Sequence, residues 1–257
     1  HGNISKCAQI ISIIRPNIRN VLFPQTVDGI TKPAISCVEL SANSNRTKQE
    51  YTGYPSINGQ AITAITGDIC KLNVDFEDRI IDACNGSYKI LRTWKVLNWC
   101  TSDLKEAIQL IKVADETAPV INVPADITVG TQTIDCFANV PLLPATITDA
   151  CSNDISVSIT SSFNTINANG GVLLNVPVGT HTIVYEATDA CGNRDSKPMR
   201  VTVLDDDPPT VVCNDETVVS LNLDGTATVF ATSFDGGSHD NCCLDKLLVR
   251  RVGDTEF

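Results

Sequence analysis

Aromatic residues make up only 5% of this 257-residue chain, which also holds just three histidines and one methionine. So few imidazoles leave little room for histidine-based acid–base catalysis. No apolar run approaches the ~18 residues that a membrane-spanning helix needs. Position 1 is His1, and neither an initiator methionine nor a signal-peptide pattern is present, so the sequence reads as a mature or excised piece of a longer protein. Bases are outnumbered, 19 against 30 acids, and a net charge of −11 disfavours a role that tracks phosphate backbones. The motifs that announce common enzymes are missing too: no G-x-S-x-G, no H-E-x-x-H and no glycine-rich phosphate loop. No cysteine sits in a C-x-x-C pair and no histidine falls at zinc-finger spacing, which excludes the usual structural zinc sites.

What is abundant is cysteine itself. Eleven in a chain of this size point to an oxidising, exported location, and the odd count leaves at least one free or bonded outside the chain. At 42% apolar and 19% charged, the composition suits packed domains rather than disorder.

An internal repeat organises the rest. Val113-Ala-Asp115-Glu116-Thr-Ala-Pro119 returns as Val203-Leu-Asp205-Asp206-Asp207-Pro208-Pro209. Upstream of each copy lies an alternating stretch that ends in a cysteine, from Lys89 to Cys100 and from Thr180 to Cys191. The cysteine-to-proline spacing is 19 residues in one copy and 18 in the other. A period of about ninety residues matches a β-sandwich domain and exceeds the 20–50 of solenoid repeats. Ile127–Val129, Ile155–Ile159 and Met199–Val203 alternate apolar and polar with β-branched residues, and Gly, Asn, Asp and Pro punctuate them. This pattern predicts an all-β protein of tandem immunoglobulin-like antiparallel sandwiches. Asp103–Ile111 is the one segment that could pass for a helix, but its repeat position makes its second half a last strand. The predicted domains are 1–117, a divergent sandwich, 118–207, and 208–257, the first part of a further repeat whose sheet face something else must cover.

A second repeat lies in the cysteines. Asp68-Ile-Cys70, Asp149-Ala-Cys151 and Asp240-Asn-Cys242 follow the first half of each copy. Asn98-Trp-Cys100 and Asp189-Ala-Cys191 end the long late strand. In a Greek-key sandwich these are loops at one end, within reach of the ~6 Å Cα separation of a disulfide. The expected pairs are Cys70–Cys100 and Cys151–Cys191. Cys84–Cys100 is disfavoured, because the strand between them would hold them ~35–40 Å apart.

Pro119-Val-Ile-Asn-Val-Pro124-Ala-Asp126-Ile-Thr-Val129, the run from Asn175 to Asn193 and the Asp-rich proline linker resemble the hyalin repeat (HYR), an immunoglobulin-like domain. The likeness spans the second repeat from end to end. Pro208–Glu216, Gly225–Val229 and Phe234–Cys242, together with Tyr88–Thr101, resemble repeats of giant surface proteins of Bacteroidota. That resemblance implies type IX export and a role in adhesion, gliding or cell contact. The family often carries a cysteine at the place of Val123, paired with one in the last strand; here Val123 and Lys197-Pro-Met199 stand instead. Cys213 does match that cysteine, which implies a partner beyond residue 257. Cys37–Cys84 is an open alternative, and Cys7, Cys136 and Cys243 have no repeat-based partner. The first 65 residues match nothing recognisable.

The linker acids Asp115, Glu116, Asp205, Asp206 and Asp207 are candidate calcium ligands, since calcium takes six to eight oxygens and carboxylates between tandem β-domains can supply several. The simpler account is a solvated acidic hinge. Ser238, His239 and Asp240 spell out a Ser/His/Asp set, yet sequence neighbours rarely form a triad. No catalytic residue is expected. Trp94, aligned with Tyr185, is expected in the core, and Trp99 either packs on a bridge or forms an exposed contact. The expectation is a structural or adhesive segment of a secreted surface protein, a spacer or filament subunit that contacts its own neighbouring repeats. The alternative is a module whose loops bind a glycan or a protein.

Overall fold

The computed structural model describes residues 6–10, 17–63, 72–132 and 134–255. The protein is all-β apart from short helical turns, and it divides into two compact units. The first comprises His1–Pro119 with two loops from further along the chain, Asp149–Ile155 and Thr188–Asn193. Val120–Thr148, Ser156–Ala187 and Arg194–Phe257 make up the second.

In the first unit, β1 (Ile35–Ser36), α1 (Cys37–Ala42), α2 (Gln49–Thr52), β2 (Ser56–Ile57) and β3 (Gln60–Ala61) precede three 11-residue strands. These are β4 (Leu72–Asp82), β5 (Tyr88–Asn98) and β6 (Leu104–Ala114), an antiparallel meander to which β1 adds in parallel beside β6. Alternation decides the packing. Ile90, Arg92, Trp94, Val96 and Asn98 of β5 point inward, while the residues between them are half-exposed or exposed. The segment that reads ambiguously as helix or strand is β6, because its pairing with β5 buries Ile111 and Val113.

The 18–57 region and its helical turns cover this face. Ile18 and Val21 pack on Leu72 and Val96, and Val27, Ile35 and Cys37 on Ile90, Ile111 and Val113. Each such apolar side chain contributes about 1.5–3 kcal/mol on leaving water. Polar anchors fix the register. The Trp94 indole N–H donates to Gln109 Oε1 (3.1 Å), whose amide in turn donates to the carbonyls of Gln25 and Thr52 at 2.9 Å. Trp94 is therefore a core residue.

The second unit is a sandwich. Its strands are β7 (Val120–Asn122), β8 (Ile127–Gly130), β9 (Phe137–Leu142), β10 (Thr146–Thr148), β11 (Ile155–Thr160), β12 (Thr165–Ile166), β13 (Gly171–Pro177), β14 (Gly179–Asp189) and β15 (Arg194–Leu204). One sheet runs β12-β11-β14-β15-β8, with β8 parallel to β15. The opposing layer is built from the β13–β9 and β10–β7 pairs. Ile159, Ile183, Tyr185, Ala187, Val201 and Val203 of the first and Val140, Leu173 and Val176 of the second are all fully buried. The β5–β6 hairpin with parallel β1 matches the β14–β15 hairpin with parallel β8, so the sequence repeat is a repeat of sheet topology. Tyr185 occupies the place of Trp94 and donates its hydroxyl to the Leu143 carbonyl at 2.9 Å.

Residues 208–255 belong to the second unit and hold no strand of the sheets above. They carry a 3-10 turn at Ala231–Phe234 and two antiparallel bridges, Thr210 to His239 and Cys213 to Asp235.

Candidate functional site

The described D-x-C motifs, and Asn98-Trp-Cys100, are Asx turns. Asp149 Oδ1 accepts from the Cys151 and Ser152 N–H groups at 2.8 and 2.7 Å, and Asp240 Oδ1 from the Cys242 N–H at 2.8 Å. Asp189 Oδ1 accepts from Cys191 and Asn193 at 2.8 and 2.9 Å, and Asn98 Oδ1 from Cys100 at 3.0 Å. A short side-chain acceptor two residues ahead folds the backbone back and presents the cysteine from a fixed turn. Burial pushes the Asp189 pKa up, but the Asn193 amide and three backbone N–H groups outweigh this and hold its carboxyl below the usual carboxylate range.

The bridges correct the expected pairing. Cys151 bonds to Cys37 and Cys191 to Cys84, with Cα separations of 5.9 and 5.2 Å, in place of Cys151–Cys191 or Cys37–Cys84. The cause is the turn between β4 and β5, which touches both Asx turns. The Cys151 carbonyl lies against Gly86, while Cys191 Sγ sits 3.4 Å from the Asn85 carbonyl oxygen and 3.5 Å from Ser87 Oγ. A third bridge joins Cys136 to Cys242, so Cys242 has a partner within the chain. The Asn241 amide fixes that approach by donating to Thr131 Oγ1 and the Gln132 carbonyl. Cys70 lies outside the described residues, so its expected bond to Cys100 is not described. Cys7, Cys213 and Cys243 are free and exposed.

Cys37–Cys151 and Cys136–Cys242 are one arrangement used twice. Each ties the D-x-C cysteine of one repeat to a cysteine one repeat earlier, across 114 and 106 residues. In each, the first acid of the linker lies beside the bridge. Asp115 has a carboxylate oxygen within 4.8 Å of the Cys37 and Cys151 sulfurs, and Asp205 has one within 4.8 Å of Cys242 Sγ and an Asp240 oxygen. Sequence reasoning gave Cys136 no partner and offered Cys37 only Cys84. The usable signal was that Cys37 and Cys136 each stand a little over 100 residues ahead of the cysteine of Asp149-Ala-Cys151 and Asp240-Asn-Cys242.

The five linker acids separate into two sets. Asp115 is buried at 6% exposure, and Asp207 is half-buried. Asp115 Oδ1 accepts from the Thr117 N–H and hydroxyl, while its Oδ2 is buried without a partner. Asp149 Oδ2, Asp207 Oδ2 and Asn241 Oδ1 are buried and unpartnered in the same way. Asp207, Asp240 and Asn241 line a cleft of about 380 Å³ with Thr210 and His239. Glu116 and Asp205 are exposed, and Asp206 packs its carboxylate onto Gly130, where a Cβ would collide with it.

The Ser/His/Asp set is engaged elsewhere. Ser238 Oγ accepts from the Val212 N–H, His239 Nδ1 bonds the Gly237 carbonyl, and Asp240 caps Cys242. His181 bonds the Pro177 carbonyl and stacks edge-on against Phe163. Trp99 is 65% exposed.

No family model matches the chain. Solved structures that resemble it include Drosophila N-cadherin EC1-4, at 12% identity and a TM-score of 0.28, over 56% of this chain and 44% of that one. Protocadherin Gamma B2 extracellular cadherin domains 3-6 match at 16% and 0.30, over 62% and 46%. Human CDH23 EC21-23 matches at 11% and 0.30, over 52% and 50%. The chain spans half or less of the length of these structures. At such scores the likeness carries no functional conclusion, and the all-β assignment rests on the strands themselves.

Proposed function

We propose that this chain is a structural and adhesive repeat segment of a large exported cell-surface protein, a mechanical spacer or filament subunit in cell contact, adhesion or gliding. The observation that carries this reading is a set of three disulfides among the described residues, each spanning more than 100 residues of all-β chain. Bridges of that reach suit an oxidising compartment and a chain under load. Its partners in this reading are neighbouring repeats of the same protein and the surface of another cell, and calcium at the linker acids is part of it. No helix among the described residues is long and apolar enough to cross a membrane. The binding-module alternative is favoured by one residue, the exposed Trp99.

Single-molecule stretching of the whole chain tests the mechanical role. The bridges interleave between Cys37 and Cys242, so reduction frees most of the chain between those two residues, roughly 60–70 nm when extended. Oxidised chains should lack that length and reduced chains should show it. Equal contour lengths in both states would end the mechanical reading. Saturable binding to a glycan array that Trp99→Ala abolishes would put the binding module in its place.

A further inference from the structure

We propose that β4 is a docking edge for a second copy of this chain, whose own β4 adds antiparallel to it about a two-fold axis at Asp78. This rests on the reading above, in which the chain is a filament subunit, and it names the surface through which two subunits meet.

An open edge carries the inference. β4 ends its sheet, and no strand among the described residues pairs with its outer side. It stays in register with β5 from Leu72 to Asp82 with no bulge, and it contains no proline. The residues from Asp75 to Asp82 are all exposed, and Ile80 is 62% open to solvent. The other end of that sheet is the two-residue β1, and the five-stranded sheet ends in β12 and β8, of two and four residues. Proteins blunt edge strands by shortness, bulges, proline or charge, because a row of free N–H and C=O groups recruits another strand. β4 has only the last of these, and its charges fit a copy of itself.

In an antiparallel pair centred on Asp78, Glu77 faces Arg79 and Phe76 faces Ile80, and the two-fold axis makes each contact twice. Opposite charges and aromatic–β-branched pairs are cross-strand contacts that stabilise a sheet. Both charges are available. The Arg79 side chain is in no ion pair among the described residues, and Glu77, 80% exposed, reaches Lys95 only at 4.0 Å. Asp78 faces its own copy, but the Arg92 guanidinium holds each carboxylate at 2.8 and 2.7 Å and offsets the repulsion. The remaining pairs, Asp75 with Ile81 and Val74 with Asp82, oppose no like charges. Register follows from the same residues. A slip of two residues, the smallest that keeps each side chain on its face, sets Glu77 against Glu77 or Arg79 against Arg79. So short a contact lies at the weak end of interfaces, which makes the dimer reversible.

Sedimentation equilibrium of the oxidised full chain over a concentration series tests this, with the exposed thiols of Cys7, Cys213 and Cys243 capped so that no intermolecular bridge forms. The parent chain is expected to show a reversible monomer–dimer equilibrium. Glu77→Arg or Arg79→Glu turns both attractive pairs into like-charge pairs and should weaken the dimer about tenfold or more. Mixed in equal amounts, the two variants should form a heterodimer at near-parental affinity, because opposite charges then face each other at both positions. Melting curves that match the parent's confirm that these exposed substitutions leave the fold intact. A parent chain that stays monomeric overturns the proposal. So does a dimer that neither variant weakens, which would mean that the copies meet elsewhere. Loss of the dimer without rescue in the mixture overturns the proposed pairing too. The stretching experiment reads single chains, so failure here leaves the mechanical reading untouched.

Discussion

Arg92 shows how a charged side chain becomes part of a core. It is 2% exposed at the centre of β5, and its guanidinium grips Asp78 with two bonds of 2.8 and 2.7 Å. The remaining donors go to Thr52 Oγ1 and the Thr47 carbonyl at 3.0 and 3.1 Å, which pins the helical turns onto the sheet. The plane also lies over Phe76, 4.7 Å from the ring centroid. A lysine cannot reproduce this fork, because an ammonium is a point charge with no bidentate face. Arg92→Leu should therefore cost about 2–3 kcal/mol. This is the low side of a broken buried pair, since Asp78 keeps some contact with water. Arg92→Lys should recover less than half of the loss. Urea midpoints followed by Trp94 fluorescence would measure both, and a lysine variant as stable as the parent would show that charge alone suffices.

At the scale of elements, the hairpin turns decide which loops meet. The turn between β4 and β5 places Gly86 at φ +91°, under the Cys151 carbonyl and Asp115 Oδ2. A Cβ there would meet both oxygens at 3.0–3.1 Å. Gly59 is a natural control, at φ +80° with no atom within 4 Å of the place a Cβ would take. Gly59→Ala should cost only the left-handed backbone penalty, about 1–2 kcal/mol. Gly86→Ala should cost clearly more and slow formation of the Cys37–Cys151 bridge. Thermal melts of the two variants, with bridge formation followed by timed alkylation, would compare them. Equal losses would show that the Asx turn yields freely. The long strands were legible in the sequence because alternation over 11 residues marks a buried face, as Trp94 and Tyr185 show. The turns α1 and α2 were not, since four to six residues give no readable helical period and their order comes from the sheet beneath them. The bridges were half legible. Asp149 and Asp189 predict turns that present cysteines, but nothing local says that the Asn85–Ser87 turn will meet both and redirect them to Cys37 and Cys84. The acids followed the same pattern: Asp115 and Asp205 were legible as candidates by repeat, whereas the placement of Asp149 and Asn241 depends on tertiary contacts.

On the scale of the whole molecule, three bridges among the described residues interleave along the chain: 37–151, 84–191 and 136–242, each opening inside the span of the one before. A single bridge over ~100 residues restricts the unfolded chain by about 4–5 kcal/mol in the entropy model. Interleaving makes the three non-additive, because each shortens the loops that the others still have to close. What a bridge does therefore depends on how much other structure its segment has. Residues 208–255 have the least: two isolated backbone bridges, the Asn241 contacts and Cys136–Cys242. The strands β7 to β15 keep a full sandwich core without it. Segments with few buried apolar contacts open well below the global unfolding free energy. The double variant Cys136→Ser/Cys242→Ser should thus release 208–255 to limited proteolysis and rapid amide exchange, while amides of β14 and β15 stay protected. Cys37→Ser/Cys151→Ser should instead lower the stability of the first unit, where the lost sulfurs sit against Ile90, Ile111 and Val113. If 208–255 remains protected in the first variant, its backbone bridges hold it unaided. If β14 and β15 lose protection together with it, the sandwich depends on Cys136–Cys242, and the view that this bridge secures only the segment beyond Leu204 is wrong.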